Sequence, residues 1–204
     1  MNARHAFARL LELRVPVVDT ADAAAALRQS VYAASKTLAR LGQSGLVTQV
    51  RHGMWWVGGD VDRNRVAEFI TAPLPGYLSL QTALYHRGMV EQIPEVFYLV
   101  SLARTQRVET SVATYSIHHM APELFGGFDL MPDGARIATA EKAIFDLAYL
   151  SGGRSRLFAS VPELEVPPKF HWGELLRWVG RIPSPRARTL TTRRLESFLG
   201  RSLE

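Results

Sequence analysis

The sequence predicts an α+β protein: a small N-terminal helical module closed by a hairpin, a mixed α/β domain, and a helical C-terminal tail. Three observations predict it. Residues 20–57 read as two short helices followed by a basic hairpin. Residues 59–168 mix short β-prone runs with helices whose apolar residues recur at spacings of three and four. Residues 169–204 hold two further helical stretches, parted by Ile182-Pro183-Ser184-Pro185.

In the first module, Asp19 or Thr20 N-caps a helix running to about Leu27, and the run Ala23–Ala26 has the highest helix propensity available. Ser30 offers the next N-cap. From Val31 to Gln43 the positions Val31, Ala34, Leu38 and Leu41 predict one buried face. Tyr32, Ser35, Lys36, Arg40 and Gln43 fall on the other face. Gly45 follows as a C′ residue tolerant of positive φ. Leu46–Val50 and Met54–Val57 are β-prone, with Arg51-His52-Gly53 as the turn between them. Trp55 and Trp56 alternate, so one is expected in the local core and the other against the neighbouring domain.

That order of elements is the outline of a winged helix-turn-helix over residues 1–58. In such modules the second helix enters the DNA major groove and its N-terminal side chains reach base edges. The candidate DNA contacts are therefore Gln29, Ser30, Tyr32, Ser35, Lys36, Arg40, Arg51 and His52. Gln29, Tyr32 and Ser35 have the chemistry to read bases, and the cations to neutralise phosphates. Plainer alternatives stand beside these roles. Lys36 and Arg40 could be solvated charges, Tyr32 a core residue, and the whole module a surface for another protein.

Gly58-Gly59-Asp60 closes the module. The mixed α/β domain, residues 59–168, is expected to open with a helix over 61–71, broken by Pro73 and Pro75. Ser79 then caps a helix of 80–87, ended by Gly88. Strands are expected at 96–102, 112–117 and 128–131. Thr139 caps a helix over 140–150, whose buried face is Ala143, Ile144, Leu147 and Leu150 and whose stop is Gly152-Gly153. Pro162–Pro168 reads as a loop. The tail, residues 169–204, is expected to pack helices 172–179 and 187–199 on this domain. Its Arg186, Arg188, Arg193 and Arg194 suit either phosphate or an acidic partner, or simply solvent.

Composition excludes several classes. A hydrophobic content of 47% with 21% charged residues describes a chain able to bury a core. No run of eighteen apolar residues suggests a membrane span, and no secretory signal is expected, so the cytoplasm of a prokaryote-like cell is the expected location. The absence of cysteine removes disulfides, thiolate metal sites and cysteine nucleophiles. Charge is uneven. Residues 1–58 carry seven Lys/Arg against three Asp/Glu, 59–168 nine against thirteen, and 169–204 eight against three. Basic ends and an acidic middle fit ends that approach phosphate.

Catalytic chemistry is mostly declined. Lys142 and Asp146 are an i, i+4 pair, expected as a helix-surface salt bridge with Glu141 near the helix N-terminal dipole. His118-His119 are adjacent on a strand and point to opposite faces, so no shared metal ion is expected. No glycine-x-serine-x-glycine elbow surrounds Ser79. Neither metal nor cofactor is implied, and the chain is expected not to be an enzyme.

Residues 77–94, YLSLQTALYHRGMVEQIP, resemble the tyrosine-x-serine, alanine-leucine, histidine-glycine, proline pattern of the AbiEi family, with Arg87 separating His86 from Gly88. Residues 137–150, IATAEKAIFDLAYL, resemble that family's glu-lys-ala-x-x-asp helix. Ser116-Ile117-His118 and Phe125-Gly126 lie between them, as a similar stretch does in the family. The resemblance spans most of the chain, about residues 1–200. It implies an antitoxin of a phage-defence toxin–antitoxin pair. Its winged helix would bind inverted repeats in its own promoter, and its second domain would counter a nucleotidyltransferase-like toxin, with or without lasting contact. Glu141, Lys142 and Asp146 become candidates for that partner function. A monomer or weak dimer pairing on double-stranded DNA is implied. Two alternatives stay open: a stand-alone regulator sensing a small molecule, and an enzyme acting on nucleic acid or protein with the first module used for docking.

Overall fold

A computed structural model describes residues 2–151 and 164–203. The chain opens with helix α1 (Ala3–Leu11), capped where the Asn2 side chain accepts the Arg4 N–H. The sequence reading passed over this helix, although Ala6 and Leu10, four apart, are both fully buried. Strand β1 (Val17–Asp19) follows, then α2 (Thr20–Leu27) and α3 (Val31–Gln43). Asp19 caps α2 and Ser30 caps α3, each accepting an N–H three residues on. Strands β2 (Val47–Arg51) and β3 (Met54–Val57) complete an antiparallel sheet of order β1-β3-β2. The turn is narrower than expected. Arg51 pairs with Met54 inside the ladder, leaving His52-Gly53 at the tip with Gly53 at φ +76°.

Helix α4 (Arg63–Ile70) starts after Asp62, whose carboxylate accepts the Asn64 and Arg65 N–H groups. That cap moves the start two residues from the expected Val61. The remaining elements are β4 (Gly76–Leu78), α5 (Leu80–His86), β5 (Val96–Ser101), β6 (Gln106–Glu109), β7 (Thr114–His119), β8 (Phe128–Leu130), β9 (Arg136–Ala138) and α6 (Ala140–Leu150). The six strands form one mixed sheet, β6-β7-β5-β4-β9-β8, with β5–β7 and β4–β9 parallel. The sequence showed β5, β7 and β8 but not β4, β6 and β9, which are three or four residues long and carry little periodic signal of their own. Strand β7 starts two residues later than expected, because the Thr110 hydroxyl accepts the Val112 and Ala113 N–H groups and holds them in a turn.

Helices α7 (Trp172–Gly180) and α8 (Pro185–Leu199) pack on α6. Helix α8 begins earlier than expected because Ser184 caps it and Pro185 occupies its first turn, where no N–H is needed. The stop assigned to Gly152-Gly153 and the start of the Pro162–Pro168 loop lie outside the described residues.

Two apolar cores result. The smaller joins α1, α2, α3 and the first sheet through Leu10, Leu27, Leu38, Leu41 and Trp55. The larger surrounds the six-stranded sheet and takes in Val17, Val50 and Trp56 from the first module. The adjacent tryptophans therefore divide as their alternation required. The join is also polar: Ser111, between β6 and β7, donates its N–H to Val50 O at 2.9 Å and its hydroxyl to Gln49 O. The edge of β2 is thus fixed to the second domain.

Candidate nucleic-acid interface

Helix α3 presents two unlike faces. Ala34, Thr37, Leu38 and Leu41 are buried, while Tyr32, Ser35, Lys36, Ala39, Arg40 and Gln43 are exposed. No acidic residue occurs anywhere in the helix. Lys36 and Arg40 are successive cations on the exposed face, and Lys36 Nζ sits 4.4 Å from the centre of the Tyr32 ring. Tyr32 is 71% exposed, so it is not a core residue. Val31 departs from the expected phase: it is 56% exposed and lies on the outer surface. The buried stripe begins at Ala34 because Val31 occupies the first position after the cap, where the chain is still entering the helix.

The turn between α2 and α3 is Arg28-Gln29-Ser30. Arg28 adopts a left-handed conformation, φ 53°, as the C-cap of α2. Gln29 is tied inward, its Oε1 accepting the Thr37 hydroxyl at 3.1 Å, and the Ser30 hydroxyl accepts the Ala33 N–H at 3.2 Å. Both side chains thus spend an acceptor on the turn itself. Ser35 has no such engagement and is exposed.

At the hairpin, His52 is exposed and Arg51 half-buried. Both line a cleft of about 470 Å³ with Asp19, Asp22 and Phe69, between the first module and α4. Two carboxylates on the same cleft offset part of the positive charge that the hairpin brings. Helix α3, by contrast, carries Lys36 and Arg40 with no acidic residue of its own.

The second constellation lies on α6 and corrects the expectation of a surface pair. Lys142 and Asp146 both have fully buried side chains in direct ionic contact. Asp146 accepts hydrogen bonds from the Tyr77 hydroxyl at 3.0 Å and the Ser79 hydroxyl at 2.7 Å. Lys142 Nζ also donates to Leu124 O at 2.7 Å. It lies 4.4 Å from the Trp178 ring centre and 4.7 Å from that of Phe145. Burial pushes the Lys142 amine down and the Asp146 carboxyl up, and their mutual attraction opposes both shifts. Burial also raises the Tyr77 hydroxyl, and the Asp146 charge raises it further. Ser79 precedes α5 but makes no cap hydrogen bond, because its hydroxyl is committed to Asp146.

Glu141 is buried on another side of α6. Burial would raise its carboxyl, but the His171 N–H, donated at 2.7 Å, and neighbouring hydrogen bonds outweigh that and hold it below the usual range. Gly127, φ +72°, lets the chain pass these side chains: a Cβ there would stand 2.7 Å from the Trp178 ring and 2.9 Å from the Lys142 stem. Sequence reasoning found Glu141, Lys142 and Asp146 but missed Tyr77, Leu124, Phe145 and Trp178 as their surroundings. The tyrosine-x-serine pair and the helix motif, whose bonded residues are 69 and 67 positions apart, close one hydrogen-bond network. None of the three α6 side chains offers a partner an exposed surface.

Of the tail cations, the half-buried Arg194 donates to Ala148 O at 3.3 Å and the exposed Arg188 to Ile182 O at 2.8 Å; Arg186 and Arg193 are exposed as well. His118 is buried beside Ser116, and His119 is exposed on the opposite face of β7. Among the described residues, no group of three His, Asp or Glu side chains is placed to hold a metal ion. Nor is any helix among them long and apolar enough to cross a membrane. No protein-family model and no curated protein matches this chain.

Proposed function

We propose that this chain is a DNA-binding, antitoxin-like transcriptional repressor that acts without catalysis. The observation that carries the reading is the exposed, acid-free face of α3, with Lys36 and Arg40 one turn apart, Ser35 beside them, and Val31 and Tyr32 exposed at its start. Helices α1–α3 and the β1-β3-β2 sheet are read as a winged helix, with α3 as the helix that enters the major groove. Lys36 and Arg40 would neutralise phosphates, and Ser35 would meet a base edge. Arg51 and His52 are assigned a secondary phosphate contact, weakened by the nearby aspartates. Inverted repeats would seat two copies on one operator.

The second domain is assigned the partner role that the AbiEi resemblance implies, countering a nucleotidyltransferase-like toxin. The buried Lys142–Asp146 network supports that role by holding α6, β4 and the tail together. The test is fluorescence anisotropy of the purified protein on its own upstream promoter and on a scrambled duplex, at about 0.15 M salt. The expected promoter preference is about a thousandfold or more. Equal, weak binding to both duplexes rejects the reading.

A further inference from the structure

Val31 is not used by the fold. It stands at the first position of α3, 56% exposed, beside Tyr32 at 71%. A β-branched side chain is a weaker helix former than alanine, and its methyls here lie in water. Neither property helps the helix or the core. Its setting is specific, however. The Ser30 cap precedes it, the exposed Ser35 follows one turn on and about 40° round the helix, and the exposed cations Lys36 and Arg40 lie farther round. A surface of that charge fits a polyanion.

The major groove of B-DNA offers one apolar feature, the C5-methyl group of thymine. Resting on the reading of α3 as the groove-entering helix, we propose that Val31 is a specificity-determining residue that packs on a thymine methyl in each half-site. The branched side chain has few χ1 wells, so little freedom is lost on contact. The Tyr32 ring, capped by the Lys36 ammonium at 4.4 Å, holds that cation back along the helix and keeps it off the base contacted by Val31.

The probe is the promoter duplex with thymines replaced by deoxyuracil, first throughout and then one position at a time, bound to the full chain and to Val31→Ala. Deoxyuracil lacks only the methyl. One position per half-site is expected to weaken binding about fourfold, the factor that corresponds to burying one methyl-sized group. Val31→Ala is expected to bind thymine and deoxyuracil duplexes alike at that position, with an unchanged salt slope and unchanged circular dichroism. A promoter preference without any thymine-to-uracil loss overturns this proposal alone, as does a loss that persists in Val31→Ala. A Val31→Ala change in sedimentation, with discrimination intact, marks the surface as a protein contact and also overturns it. No promoter preference at all overturns both this proposal and the repressor reading.

Discussion

Lys142→Met tests the buried network most directly. Methionine keeps the apolar stem of the lysine, so volume is nearly conserved, while the ammonium's contacts with the Phe145 and Trp178 rings go. What is lost is the ammonium, with its bonds to Asp146 and Leu124 O. Asp146 then remains fully buried with only the Tyr77 and Ser79 hydroxyls facing its charge. Removing one partner of such a pair costs about 3–5 kcal/mol. Because the total stability of a domain is about 5–15 kcal/mol, the variant should still fold, with a much lower urea midpoint.

The sign of the pH dependence follows. Without the ammonium, the folded-state pKa of Asp146 rises further above its unfolded value. The protonated form is then the stable folded form, so the deficit is smallest at low pH and grows as pH rises through the carboxylate range. Between pH 5 and 7 the growth should approach ~1.4 kcal/mol per unit. Lys142→Met/Asp146→Asn removes the charge and leaves an acceptor for the two hydroxyls. It should be more stable than Lys142→Met at pH 7 by about 2 kcal/mol, and its difference from the unsubstituted protein should be flat against pH. The assay is urea unfolding followed by circular dichroism from pH 5 to 8. A loss below about 1 kcal/mol in Lys142→Met, or additive single and double variants, would falsify the buried-pair account.

Further outcomes are expected for five other variants. Leu38→Ala truncates a fully buried side chain of the first core and should cost about 2–5 kcal/mol in chemical unfolding; an unchanged midpoint would mean that α3 is phased differently. Arg40→Ala should weaken specific and random duplexes alike and lower the salt slope by about one, whereas Ser35→Ala should reduce discrimination more than general affinity. Arg51→Ala should change the slope by less than Arg40→Ala, since Asp19 and Asp22 share the Arg51 cleft; the reverse order in a salt titration places the main phosphate contact on the hairpin. Glu141 has a depressed folded-state pKa, so its contribution is present above about pH 4.3 and lost as pH falls through its folded value. Glu141→Gln should therefore flatten stability between pH 5 and 3, and an unchanged acid limb in urea titrations rejects that role.

The sequence carried α2, α3, β2 and β3 of the first module, because their signals are local, but not the three-residue strand β1. Ser30, Asp19 and Gly45 mark ends within three residues of what they cap, and Leu38 and Leu41 repeat within one helix. It failed at α1, where Ala6 and Leu10 gave a thin signal, and at β4, β6 and β9, whose three or four residues become strands only through neighbours in the sheet. Val31 erred for a related reason: a period of 3.6 says which residues share a face, and the tertiary docking of the helix decides where that face ends.

The Lys142–Asp146 pair shows the limit most clearly. An i, i+4 lysine–aspartate pair has the same spacing on a wet helix face and inside a core, so its local pattern is silent about burial. Burial here is decided from afar, by Tyr77 and Ser79 on β4 and its exit, Leu124 before β8, and Trp178 on α7. Each is unremarkable alone: a tyrosine in a short apolar run, a serine before a helix, a tryptophan on a tail helix. Their joint meaning is that every polar atom of a buried pair has a partner, the condition under which such a pair is tolerated at all. A charge pair of this kind fixes α6 in one rotation against β4, because a slip of one residue would strand two charges in an apolar core. The outer surface of the second domain is therefore set by residues that lie beneath it.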